Sequence, residues 1–101
     1  MPGAFRDADL RSLALHAAVA EKLDDALVEK AASRVRLWSA EGRPYAAAWR
    51  RLLSAPLEDL RNALVRDDEE MQALRSASPF AGALTPAERR AVIRSTRRSR
   101  A

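Results

Sequence analysis

The sequence predicts an all-α fold, a single small bundle of five or six short helices, and three observations carry that expectation. Strand signals are nearly absent: there is no run of β-branched residues, no Asn-Gly or Asp-Gly hairpin turn, and only three glycines in 101 residues. Apolar residues instead recur at helical spacing along most of the chain. Acidic residues and prolines interrupt that pattern at the points where helices should begin, as caps and first-turn residues do.

The first helix can start at Asp7 or Asp9, with Leu10, Leu13, Ala14, Ala17 and Ala20 along one face. A second row, Leu15, Val19 and Leu23, suggests burial on two sides. The helix should break around "KLDDAL", with Asp24 capping the next. There Val28, Ala31, Ala32, Val35 and Trp38 make one stripe, and Gly42 is well placed just past its C-terminus.

Pro44 suits the first turn of a third helix, in which Tyr45, Ala48, Trp49, Leu52 and Leu53 form the cleanest amphipathic pattern of the chain. Pro56 opens a short fourth helix with Leu57, Leu60 and Leu64 facing inward. Asp67 is expected to cap a fifth, bearing Met71 and Leu74. Residues 76–87 then carry no charge at all. Within "TPAE", Thr85 as cap, Pro86 at the first position and Glu88 three residues on make a capping box for a sixth helix reaching about Arg97. The expected core is Leu13, Val35, Trp38, Trp49, Leu52, Leu60, Leu64 and Leu74. Residues 1–101 read as one domain, with a flexible N-terminus over 1–6 and a basic tail over 95–101.

Hydrophobic residues make up 48% of the chain, enough for a core, but many are alanines and only five residues are aromatic. Alanine favours helix and buries little area. A thin core follows, in a protein that would gain from a partner or from forming a homo-oligomer. There is no cysteine, so disulfides and thiolate metal sites are excluded. The first residues carry acids where a secretory signal has a basic region and an apolar run. No segment approaches the roughly 20 apolar residues that span a bilayer. A soluble cytoplasmic protein with no membrane association is the expectation.

Charge is distributed unevenly. Residues 88–101 hold six Arg against one Glu, whereas the preceding residues are close to neutral. Six arginines on a helix and its end could contact nucleic-acid phosphates or an acidic protein groove. Arg94, Arg97, Arg98 and Arg100 are the candidates for nucleic-acid contact.

No catalytic motif is present, and no enzyme is expected. His16 is the only histidine and has no companion motif, and zinc-type sites need three or four ligands. Gly3, Gly42 and Gly82 are too far apart to cradle a phosphate. The run Asp67 to Glu70 could attract a divalent cation. Acids in the first turn of a helix have a simpler explanation in capping and the helix dipole. A helix-turn-helix over residues 56–77 would place those four acids against phosphates, which is repulsive. Neither cofactor nor metal is therefore expected.

The uncharged linker holds the least routine residues. Ser78 can turn the chain, Pro79 blocks helix continuation, Phe80 is the only large aromatic after Trp49, and Gly82 permits a backbone turn. Two readings are open. Either Phe80 and Leu84 fold back as a plug beneath the fifth and sixth helices, or the segment docks an aromatic anchor in a partner's cleft.

The segment from Trp49 to Arg94, with "LALHAAVAEKL" upstream, resembles small helical bacterial proteins encoded beside toxin genes, which are antitoxins. Ser78-Pro79-Phe80-Ala81-Gly82 followed by Thr85-Pro86-x-Glu88-Arg89 is the most distinctive part. The resemblance implies a non-enzymatic protein that binds and neutralises a toxin-like enzyme, with Ser78, Pro79, Phe80, Gly82, Arg89 and Arg90 meeting the partner. The alternative is a small DNA-binding regulator that uses the Arg-rich C-terminus.

Overall fold

The computed structural model describes residues 7–100 and is helical, with no strand among the described residues. Six helices follow in chain order: α1 (Asp7–Lys22), α2 (Asp25–Ala40), α3 (Ala46–Leu53), α4 (Leu57–Leu64), α5 (Glu69–Ser76) and α6 (Pro86–Arg100). Helix α1 packs against α4, α5 and α6, while α2 pairs with α3, and α4 bridges to α3 and α5. The expected flexible N-terminus, residues 1–6, lies outside the described residues.

Three helix starts, those of α2, α5 and α6, are closed by a side-chain cap. Asp24 is extended and accepts a hydrogen bond from the Leu27 N–H at 2.9 Å, so it caps α2. Asp68, not Asp67, caps α5: its carboxylate accepts from the Met71 N–H at 2.8 Å. The same carboxylate also accepts from Arg66 Nε, a second charged bond that favours this register. Thr85 and Glu88 close the capping box reciprocally, at 2.8 and 3.1 Å. The capping N–H bond, followed by Lys22, holds the Glu88 carboxyl below the usual carboxylate range.

Helix ends are closed less locally. Gly42, at φ 72°, completes a Schellman turn at the end of α2, with its N–H on Ser39 O and the Arg43 N–H on Trp38 O. Elsewhere a side chain from another helix supplies the donor. Arg61 of α4 donates to Ala20 O and Leu23 O at the end of α1. Arg75 of α5 donates to Leu64 O and Arg66 O at the end of α4. The last carbonyls of a helix have no intrahelical partner and carry partial negative charge, so a guanidinium there satisfies both needs.

The core draws on every helix but α6: Val19, Ala20 and Leu23; Ala31 and Val35; Ala46 and Trp49; Leu60 and Leu64; Met71 and Leu74; and Phe80 from the linker. Trp49 is fully buried, donates its indole N–H to Leu74 O at 3.1 Å, and meets Phe80 edge to face at 6.0 Å. Three expected core residues are only half-buried: Leu13, Trp38 and Leu52. Trp38 sits at an edge beneath the Arg43 guanidinium, 5.8 Å from the ring centre. In α3 the buried face begins at Ala46, and Tyr45 lies exposed before the helix, because residues 43–45 still belong to the turn after Gly42. In α1 the buried seam is His16, Val19, Ala20 and Leu23, and the row through Leu10 and Leu13 stays partly exposed.

No described residue of α6 is buried; Val92, Ile93 and Thr96 are half-buried. Its ties include packing against α1 and the Lys22–Glu88 ion pair at 3.0 Å.

Arg61→Leu removes the donor from the α1 carbonyls and is expected to lower stability by about 1.5–3 kcal/mol. Gly42→Ala meets no atom within 4 Å, so only the left-handed backbone resists it, at roughly 1–2 kcal/mol. Urea denaturation of both variants, with unchanged m-values, checks both figures.

Candidate functional site

The linker over residues 77–85 is fixed from two sides. Ser78 Oγ accepts the Phe80 N–H at 3.1 Å and lies 2.8 Å from His16 Nε2. His16 Nδ1 lies 2.8 Å from Ser12 O. A carbonyl oxygen only accepts, so Nδ1 carries the proton, and in the neutral ring Nε2 accepts from the Ser78 hydroxyl. From the other side, Arg34 of α2 donates to Pro79 O at 3.1 Å and Ala81 O at 2.9 Å. A turn at Gly82, φ 85°, follows, with the Ala83 N–H on Phe80 O.

Between these ties Pro79 and Phe80 are buried, Phe80 at 6% exposure. The aromatic anchor expected for a partner's cleft is thus part of the protein's own core. Burying the ring against Trp49 removes from water the apolar area a docking anchor would have to keep exposed. The plug reading describes Phe80, though it seats on Trp49 of α3 rather than beneath α5 and α6. Ser78 is half-buried, while Gly82, Arg89, Arg90 and Arg94 are exposed. The side chains of Arg97, Arg98 and Arg100 lie outside the described residues.

The structure supplies His16 with a companion that the sequence did not reveal. Ser78 is 62 positions away, and no motif links the two. Their separation is that of a nucleophile and its base, with the ring oriented by a third group. Both protons of the pair and the Nε2 lone pair are engaged within the fold, however. The hydroxyl oxygen accepts from Phe80 and its proton goes to His16, whose other nitrogen is held by Ser12. The network fastens the linker to α1. His16 is 7% exposed, and burial, with a smaller contribution from the Arg75 charge, holds its pKa below the ordinary 6.5 against the pull of the Ser12 carbonyl.

The acidic run is occupied by its own neighbourhood. Asp68 caps α5, and Arg66 pairs with both Asp68 and Glu70. Among the described residues no three His, Cys, Asp or Glu side chains gather as a metal site. No described helix is long and apolar enough to cross a membrane.

A cleft of roughly 530 Å³ opens between α1, the linker and the start of α6. Arg11, Arg75 and Arg89 line it, together with Ser12, His16 and Ser78, and none of its lining residues is acidic. The three arginines come from α1, α5 and α6, so only the tertiary fold brings them together. Comparison with protein-family models, curated proteins and solved structures finds no match for this chain.

The His16 environment sets a pH dependence. Below about pH 6.5 the unfolded chain binds a proton that the folded ring refuses, so stability falls with falling pH from there down to the depressed folded pKa. His16→Gln is expected to flatten that segment of the stability-against-pH curve, measured by denaturant midpoints at successive pH values. A slope unchanged by the substitution would assign it to other groups.

Proposed function

We propose that this protein is a non-catalytic, protein-binding module of the antitoxin kind, which docks on an acidic face of a partner through α6. The observation that carries this reading is the state of the α6 arginines. Arg89, Arg90 and Arg94 are exposed, and none pairs with a described carboxylate. By contrast Arg36, Arg43 and Arg61 each hold one, and Arg66 holds two. A guanidinium without an internal partner keeps its planar fork for a bidentate carboxylate outside the protein. Arg90 and Arg94, four residues apart, share one face of the helix.

The resemblance noted from the linker motif favours the same class. In this reading Ser78, Pro79 and Phe80 act by position: they hold the rigid base from which α6 departs. Gly82, Arg89 and Arg90 form the surface that meets the partner, a toxin-like enzyme. The exposed outer side of α6, carrying Arg90 and Arg94 among the described residues, suits a helix that is to be covered, since covering it breaks nothing in the core.

The test is co-expression with the product of the adjacent gene, followed by measurement of the complex. Arg90→Ala with Arg94→Ala is expected to weaken it by about tenfold or more. Arg36→Ala on α2, which removes an equal charge per site from another surface, should leave it unchanged. If the double variant binds as tightly as the parent, α6 is not the docking surface. If no complex forms, and duplex DNA instead binds with a steep salt dependence that vanishes when residues 94–101 are removed, the protein is a DNA-binding regulator.

A further inference from the structure

We propose that the cleft between α1, the linker and α6 is a binding site for a small amphipathic anion, a carboxylate or phosphate head on an apolar body. Gly82 and Arg89 border both this cleft and the surface proposed for the partner, but the inference does not depend on the partner reading. Its rim carries three guanidiniums in different states. Arg75 is 4% exposed and held in place by its two backbone acceptors, Leu64 O at 3.2 Å and Arg66 O at 2.7 Å. Those bonds use Nη1 alone. No buried side-chain nitrogen or oxygen among the described residues lacks a partner, so its remaining donors are not sealed away. A guanidinium already immobilised loses little entropy when a ligand arrives.

Arg11 and Arg89 complete the rim from α1 and α6, exposed and with no carboxylate partner among the described residues. Asp9, Asp67 and Asp68 offset part of the Arg75 charge, yet none of them lines the cleft. His16 adds no charge, because burial keeps it neutral and its Nε2 accepts from Ser78. The cleft itself is therefore net positive.

Beside the polar Ser12, His16, Ser76 and Ser78, the wall has an apolar part that includes Leu15, Val19, Phe80 and Leu84. A bare inorganic anion would leave the half-buried Leu15 and Leu84 partly facing water, whereas a short alkyl or aryl body would cover them. The volume falls within the range of small-molecule sites, about 300–1,000 Å³. A head group held by Arg11 and Arg89 together would link α1 to α6 at a point where no core residue does so.

The experiment titrates the full chain with hexanoate, hexyl phosphate and inorganic phosphate, by calorimetry and by amide chemical shifts. Saturable binding of hexanoate or hexyl phosphate is expected at low-millimolar concentration or below, with shifts centred on Arg11, Ser78 and Arg89; the tighter of the two identifies the preferred head. Arg11→Gln with Arg89→Gln, both surface substitutions, should weaken binding by about tenfold or more. Arg50→Gln with Arg51→Gln on α3 removes the same charge elsewhere and should have no effect. Absence of saturable binding by either hexyl probe overturns the proposal, as does an equal loss in the α3 variant. Inorganic phosphate binding as tightly as hexyl phosphate would overturn the assignment of an apolar body.

Discussion

Trp49 is the residue on which the rest of the arrangement depends. Its indole is fully buried, its N–H closes the last turn of α5 through Leu74 O, and its ring takes the edge of Phe80. Helix α3 has eight residues, too few to be stable alone in water. One large side chain therefore joins α3, α5 and the linker, in a core where much of the apolar content is alanine. Neighbouring core positions are small, Ala31 and Ala46 among them, which lets the helices approach closely around that single ring.

The second constraint is the supply of donors to helix ends. Three of the six helices have only eight residues, so a large share of their backbone lies in terminal turns with unpaired carbonyls. Arg61 and Arg75 meet that need across helix boundaries, and Arg34 does the same for the linker carbonyls. Each bond joins two different elements, so the arginines hold tertiary structure as much as they carry charge. The cleft and α6 carry arginines not used in this way, Arg11, Arg89, Arg90 and Arg94.

These two constraints together place the candidate sites. The linker is locked by His16, Arg34 and Phe80, so α6 leaves the body from a fixed point and lies on α1 without entering the core. A helix in that position can present one face outward and border a cleft on another. The expected anchor, Phe80, shapes the surface from within.

The sequence by itself determined the helical class, the order of the helices, the caps at Asp24 and Thr85, and the C-terminal turn at Gly42. Those features depend on spacing within a few residues, where backbone geometry and hydrogen bonding act locally. It also named Val35, Trp49, Leu60, Leu64 and Leu74 as core, since their apolar periodicity shows on one helix at a time. The choice of Asp68 over Asp67, the burial of Phe80, the pairing of His16 with Ser78, and the gathering of Arg11, Arg75 and Arg89 were decided only by the tertiary structure. An arginine looks the same in sequence whether it caps a distant helix, pairs with a neighbour or faces a cleft. Which of these it does depends on the acceptors that folding brings within about 3 Å of its fork.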